Sequence, residues 1–254
     1  MKSSTRVITN TFFMYLRLIV TIGIAFYSVR LILRYLGETD YGIYNLIAGT
    51  VSMLSFLNNA MTVSTQRFLS FYQGRNDVNI QRSVFFNSIV LHFLMATTIA
   101  ITLEAIYPFL FNGFLNIPLD RMGAAKVIYH TCIAALFLTI SYTPFTAAIN
   151  AHEDMIVIMV INIVDSVAKL CLAFMIPLFG IMKLEYYGVG IFLLTCLSFS
   201  MYLVYCLIKY PECKNLSLRL FQKGSLKSLG SFAGWNTIGA VTGLAKSQGL
   251  SLLF

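Results

Sequence analysis

The sequence has very little charge. Only 11% of its 254 residues are Asp, Glu, Lys or Arg, whereas 58% are apolar, and the mean hydropathy is +0.78. Soluble proteins carry about 25% charged residues, so this chain cannot cover a water-facing surface. The shortage excludes a soluble enzyme, a nucleic-acid-binding protein and a secreted disulfide scaffold. Because the uncharged runs are long, they predict transmembrane helices rather than barrel strands, which alternate in short segments.

Motifs for metal, disulfide and nucleotide chemistry are also missing. The five cysteines form no CxxC pair and no His-spaced cluster, so we interpret them as small hydrophobic residues. No Walker sequence, GxGxxG or nucleophile elbow occurs, which excludes an ATP-driven pump in one chain. The string from Ala151 to Asp154 contains His and Glu, but adjacent residues do not converge on one metal, and we predict a solvated turn. We expect no enzyme activity, no metal and no cofactor.

Charged residues, Gly and Pro divide the apolar sequence into candidate transmembrane spans of about 20 residues or more. We predict seven of them, over residues 10–33, 41–66, 84–111, 125–149, 156–182, 188–208 and 230–254. No polar anchor follows the last span, so we expect the natural protein to continue beyond Phe254.

The orientation follows from the basic residues, because Lys and Arg in short loops stay cytoplasmic. A cytoplasmic N-terminus puts nine of them inside, namely Lys2, Arg6, Arg75, Arg82, Lys209, Lys214, Arg219, Lys223 and Lys227. The same orientation puts four outside, namely Arg34, Arg121, Lys126 and Lys183. We therefore predict that the N-terminus is cytoplasmic.

Two pieces of sequence carry a family resemblance. The first is Arg34-Tyr-Leu-Gly-Glu-Thr-Asp-Tyr-Gly-Ile-Tyr-Asn-Leu-Ile, followed by Thr65-Gln-Arg-Phe-Leu. The second is Phe232-Ala-Gly-Trp-Asn-Thr-Ile-Gly with Gln248-Gly. In their order and spacing they resemble the polysaccharide transport proteins, the O-antigen and repeat-unit flippases. That family belongs to the multidrug/oligosaccharidyl-lipid/polysaccharide exporter superfamily.

The resemblance implies an all-α, V-shaped transporter of two six-helix lobes, about twice the length of this chain. Such a protein flips undecaprenyl-pyrophosphate-linked oligosaccharides across the inner membrane for surface polysaccharides such as lipopolysaccharide O-antigen. Residues 1–208 would be the first lobe, 209–229 a basic cytoplasmic linker and 230–254 the first helix of a second lobe. The implied partners are the lipid-linked oligosaccharide, membrane lipids and the polysaccharide polymerase machinery, with no nucleic acid.

The first span carries a polar stripe. Asn10, Arg17, Thr21 and Ser28 are 7, 4 and 7 residues apart, so they fall on one helix face. An Arg at the centre of a span costs at least ~2.5–3.5 kcal/mol, which favours a wet cavity or a partner. Our hypothesis is that Arg17 grips a substrate pyrophosphate bidentately. The alternative is that it reaches back to the cytoplasmic headgroups.

The second span carries Asn58, Thr62 and Gln66 at successive i+4 steps. This row is typical either of hydrogen bonding between helices or of a cavity lining that continues the first stripe, and the sequence does not separate the two. We include these three residues with Arg17, Thr21 and Ser28 in the predicted substrate-binding set.

The fifth span has Asn162, Asp165 and Lys169 on one face. Asp165 and Lys169 are four residues apart, so they are placed to form a structural ion pair within the helix. Ionisable residues inside a membrane also mark transport pathways. The functional alternative is ion coupling, in which protonation or cation binding at Asp165 frees Lys169 for an anionic substrate.

Rival functions follow from the same residues. A cation-coupled drug antiporter of the same superfamily should have an acidic cavity. The candidate residues here are net basic, because only Asp165 is acidic, whereas three are basic, namely Arg17, Lys169 and Lys246. A membrane-embedded glycan polymerase or acyltransferase should have a large outer loop with catalytic residues, but the longest one is the short segment 112–124. A non-transporting membrane remnant is the remaining alternative.

Overall fold

A computed structural model describes residues 3–52, 56–232, 234–236 and 239, and this part of the chain is helical with no strand. In chain order its helices are α1 (Ser3–Leu36), α2 (Glu38–Ser52), α3 (Phe56–Gly74), α4 (Val78–Phe109), α5 (Met122–Ala151), α6 (Met155–Met175), α7 (Lys183–Lys209) and α8 (223–232). Short π and 3-10 turns extend α4 and α6 and precede α5.

Five helical segments of the described ranges are long and apolar enough to cross a membrane. They cover Thr11–Leu36, Val78–Phe114, Leu119–Ala151, Met155–Phe179 and Lys183–Lys209. These segments coincide with the predicted spans 10–33, 84–111, 125–149, 156–182 and 188–208. The prediction of an all-α, multi-pass membrane protein is confirmed.

The second and seventh predicted spans lie partly outside the described residues. Over the second span, 41–66, the chain is helical on both sides of residues 53–55, which are outside the described part. The described helix that enters the seventh span already begins at 223, before the predicted start at 230, and residues 240–254 of that span are outside the described part. The predicted start is later than the helix start because polar residues at a helix end carry no hydrophobic signal.

Helix α5 is the centre of the bundle. It packs against α2, α3, α4 and α7, while α1 packs chiefly on α6. Gly188 lets α7 approach α5 closely, because a Cβ at this position would lie 2.3 Å from Ile128 Cδ1. This close packing places the side chains of α5, α6 and α7 around a common space.

At the predicted outer end of the bundle, polar contacts join neighbouring helices. Arg121 Nε, just before α5, lies 3.2 Å from Oδ1 of the buried Asp40 in α2. Burial raises the pKa of Asp40, and Arg121 opposes that rise. Lys183 Nζ donates to the carbonyl oxygen of Tyr35 at 3.3 Å, which joins the start of α7 to the end of α1.

At the opposite end the predicted turn at 151–154 is formed and Glu153 is exposed, but the turn is not solvated throughout. His152 Nε2 lies 2.5 Å from Glu212 Oε1, and Glu212 is only 1% exposed. Gln73 contacts the other ring nitrogen of His152 at 3.0 Å, and Gln81 donates to Glu212 at 3.2 Å. The turn is therefore part of a buried network that fixes the basic segment after α7 to the bundle. Its polar residues have protein partners, which the sequence alone does not show.

Candidate functional site

A small polar pocket lies where α5, α6 and α7 meet. Its volume is about 80 Å³, and it is lined by Thr139, Tyr142, Ile161, Asn162, Asp165, Lys169, Thr195, Ser198 and Tyr202. Eight of these nine side chains carry a polar atom, in a bundle that is otherwise apolar. Since one water needs only about 10–15 Å³ of such volume, the pocket has room for a small cation with water around it.

The charged residues of the pocket come from α6. Lys169 Nζ lies 2.7 Å from Asp165 Oδ2, so the predicted intrahelical ion pair is formed. Ser198 of α7 donates to Asp165 Oδ1 at 3.1 Å, which gives each carboxylate oxygen a partner. The Lys169 side chain is 44% exposed and that of Asp165 is 22% exposed. The ammonium is therefore the more accessible of the two charges.

Helix α7 contributes a polar row that the sequence analysis missed. Thr195, Ser198 and Tyr202 are three and four residues apart, which is the spacing of one helix face. The Tyr202 ring stacks on Tyr142 of α5, with the centroids 5.2 Å apart. The three-and-four-residue spacing of these side chains could have indicated a polar helix face. Spacing alone is weak evidence, because hydroxyl residues in apolar helices commonly bond their own backbone, as Thr195 does with the Ile191 carbonyl.

Arg17 is not one of the residues that line this pocket. It is half-buried on α1, which packs against α6, and it lies within range of a weak electrostatic interaction with Tyr202. One turn along α1, Thr21 donates to the Arg17 carbonyl at 2.8 Å. Ser28 is 8% exposed, and its hydroxyl has no hydrogen-bond partner within the described residues. The side chain of Asn10, the first member of the predicted stripe, is outside the described part.

The polar row of α3 reaches the pocket through α5. Thr143 donates to Asn58 Oδ1 at 2.9 Å, so Asn58 takes part in hydrogen bonding between helices. Thr143 also contacts the carbonyl oxygen of Thr139 at 3.0 Å, and Thr139 lines the pocket. Thr62 donates to the Asn58 carbonyl at 2.8 Å, and Gln66 is half-buried two turns further on. Asn58 thus contacts α5 one helical turn from Thr139, and Asn58, Thr62 and Gln66 are not among the residues that line the pocket.

The pocket itself holds the charges of Lys169 and Asp165, and Arg17 lies on the neighbouring helix α1. Arg17 and Lys169 are suited to an anionic group, and Asp165 is suited to a proton or a small cation. Among the described residues, no three His, Cys, Asp or Glu side chains converge as metal ligands. Lys246, a further basic candidate from the sequence, is outside the described residues.

Comparison with known proteins supports a transporter fold. No protein-family model and no curated protein matches the sequence. Similar solved structures include a MOP superfamily transporter from Pyrococcus furiosus, with 14% identity and a TM-score of 0.72, whose description states that the reverse polarity of its binding pocket suggests a different function. Another is an outward-facing multidrug resistance MATE family transporter of the same superfamily, with 14% identity and a TM-score of 0.73.

Each comparison covers 89% of this chain but only 51% of the transporter. The chain therefore spans about half the length of these proteins and has the fold of that half. The all-α transporter fold is also the one that the sequence resemblance implies. At 14% identity the likeness concerns the fold and leaves the substrate to be argued from the residues of this chain.

Proposed function

We propose that this chain forms the N-terminal lobe of a transporter that flips lipid-pyrophosphate-linked oligosaccharides across the inner membrane for surface polysaccharide synthesis. The observation that carries the proposal is the excess of positive charge among the candidate residues of two packed helices, with Arg17 on α1 and Lys169 on α6 against the single carboxylate of Asp165. A pyrophosphate is the group of such a substrate that needs cationic partners inside a membrane.

The residues divide into two roles in this proposal. Arg17 binds the pyrophosphate, and Thr21, Ser28, Asn58, Thr62 and Gln66 line the path of the polar headgroup. Asp165 responds to the coupling ion. When a proton or small cation neutralises Asp165, its 2.7 Å pair with Lys169 weakens, and the ammonium becomes available to the substrate.

The lobe division is part of the proposal. Residues 1–208 are the first lobe, 209–229 connect it to a second lobe, and 230–254 begin that lobe. Two lobes rocking about a shared site provide alternating access, which one lobe cannot do by itself. The lipid-linked oligosaccharide is delivered to and removed from this site by membrane enzymes, among them the polymerase machinery.

A cation-coupled drug antiporter is the second candidate. It is supported by Asp165, since a half-buried carboxylate inside the membrane suits a cationic drug, and by the MATE family transporter among the similar structures. The two nearby cations favour the anionic substrate instead. A non-transporting membrane remnant is the remaining alternative, and it would have no use for accessible polar side chains at this site.

Complementation in cells separates these candidates. The complete reading frame containing this chain is expressed in cells whose own repeat-unit flippase gene has been deleted, and surface polysaccharide and resistance to cationic drugs are both measured. We expect surface polysaccharide to be restored with no gain in drug resistance. Drug resistance without surface polysaccharide would support the antiporter, and neither phenotype would support the remnant.

The proposed orientation has a cytoplasmic N-terminus. We expect a periplasm-only reporter to be inactive when fused after Lys214, and a cytoplasm-only reporter to be active there, because this segment holds most of the proposed cytoplasmic basic residues. A fusion after Arg121, on the predicted outer side, is the matched control and should behave in the opposite way. Activity of the periplasmic reporter after Lys214 would reverse the topology.

A further inference from the structure

An apolar groove runs between α6 and α7 and shares Ile161 with the polar pocket. Its volume is about 590 Å³, and its walls are almost entirely aliphatic, with Ile156 and Val160 on one side and Val204 and Ile208 on the other. The hydroxyl of Ser200, which also lines it, donates to the Cys196 carbonyl at 2.8 Å and is thereby satisfied. The groove therefore suits a hydrocarbon chain.

The length of the groove suits one lipid chain. Its wall on α7 extends from Ser200 to Ile208, which is about 12 Å at 1.5 Å per residue. The hydrocarbon of one leaflet is about 15 Å deep, half of the ~30 Å bilayer core. A partner transmembrane helix would need an apolar wall of the full bilayer thickness, so the groove matches a chain from a single leaflet.

A cluster of polar side chains stands at one end of the groove. Tyr205, which lines the groove, and Tyr210 both donate to Asp154 Oδ2, at 3.3 Å and 2.6 Å. Asp154 immediately precedes α6, yet its side chain makes no capping hydrogen bond to that helix. The last residue of α7, Lys209, is exposed, and in the chain it lies between Ile208, which lines the groove, and Tyr210, which donates to Asp154. A carboxylate and an ammonium thus both stand at the end of the groove that meets the headgroup region.

Other charged residues also lie at this end. His152 is engaged by the buried Glu212 and by Gln73, and Glu153 is exposed in the preceding turn. Lys214 is exposed beyond Tyr210. Opposite charges at one end of the groove complement a zwitterionic headgroup, with its phosphate at Lys209 and its ammonium at Asp154.

We infer that this groove binds a phospholipid with a primary ammonium headgroup, of the phosphatidylethanolamine type, with one acyl chain between α6 and α7. The N–H groups of that ammonium can donate to the Asp154 carboxylate. The quaternary ammonium of phosphatidylcholine has no N–H, and phosphatidylglycerol has no cation. The inference rests on the membrane-embedded fold and not on the transported substrate.

Lipid retention tests the site. The purified full chain is placed in nanodiscs containing equal amounts of phosphatidylethanolamine and phosphatidylcholine, transferred to detergent and analysed by mass spectrometry for bound lipid. We expect phosphatidylethanolamine to be retained about tenfold more than phosphatidylcholine. A preference of this size corresponds to one charge-assisted hydrogen bond. Asp154→Asn, whose amide oxygen still accepts from the tyrosines, should reduce that ratio to about onefold.

Filling the groove tests the chain position. Val204→Trp should reduce retention of both lipids, whereas Leu193→Trp is the matched control, because Leu193 is similarly exposed on α7 (58% against 53%) and is not part of the groove wall. Lys209→Gln is a surface change that leaves the packing intact. It should weaken retention of both lipids, because it removes the ammonium that binds the lipid phosphate. Equal retention of both lipids by the unmodified chain, or no effect of Val204→Trp beyond its control, would overturn the inference. Displacement of phosphatidylethanolamine by a polyprenyl pyrophosphate would also overturn it, since the groove would then hold the substrate chain.

Discussion

Replacing Arg17 with alanine is expected to reduce export of the lipid-linked glycan at least about 30-fold, since loss of one partner of a buried, hydrogen-bonded charge pair costs about 2 kcal/mol or more. The protein level should not fall. The half-buried guanidinium near Tyr202 would be the main ligand of the substrate pyrophosphate. The measurement is surface polysaccharide per molecule of membrane protein, in cells that express the complete reading frame.

Graded variants distinguish a ligand from a membrane anchor. Arg17→Lys should recover only part of the export, because an ammonium keeps the charge but loses the bidentate fork. Arg30→Ala is the matched control, an exposed arginine on the same helix, and should leave export per molecule unchanged. If Arg17→Lys exports like the unmodified protein, or if Arg17→Ala lowers abundance rather than transport, Arg17 is an anchor at the headgroups.

Replacing Asp165 with asparagine is expected to remove the dependence of transport on the coupling-ion gradient. The carboxylate is the one acidic group lining the pocket, and asparagine takes its place without a titratable or cation-pairing charge. Transport should fall about tenfold, the effect of about 1.4 kcal/mol, and the remaining activity should not respond to an imposed gradient. Ser198→Ala, which removes one hydrogen bond to Asp165, should give a smaller loss and preserve the response.

A double variant separates coupling from a structural ion pair. Asp165→Asn combined with Lys169→Gln leaves no unpaired charge, so protein level should be normal in either case. If the pair is structural, the double variant should transport normally and respond to the gradient. If Asp165 is the coupling group, the double variant should be abundant but still insensitive to the gradient.

The membrane fold can be predicted from this sequence because it depends mainly on the length of the apolar runs. Runs of about 20 apolar residues bounded by charge are sufficient to place the five long spans. The start of α8 at residue 223 was not predicted, because the residues from 223 to 228 are mostly polar and carry no hydrophobic signal. Burial of Glu212 was not predicted either, since its partners Gln81 and His152 are far away in sequence.

The candidate site was predictable where its residues share one helix. The pairing of Asp165 with Lys169 follows from their i,i+4 spacing, and it is observed at 2.7 Å. The contribution of Ser198 and Tyr202 depends on which face of α7 meets α6, and that is fixed by close packing rather than by local sequence. Packing of α1 on α6 likewise places the helix that carries Arg17 against the helix that carries Asp165, although these two residues are about 150 positions apart in the chain.

Translocation by the purified protein is the most direct test of the proposed function. The product of the complete reading frame is reconstituted in liposomes with a fluorescent polyprenyl-pyrophosphate oligosaccharide, and arrival of the glycan at the outer surface is followed with a lectin under an imposed ion gradient. We predict transport at least ~30-fold faster than with Arg17→Ala, for the charge-pair reason given above, and no movement of a cationic dye. Movement of the dye, with glycan translocation no faster than in protein-free liposomes, would contradict the account.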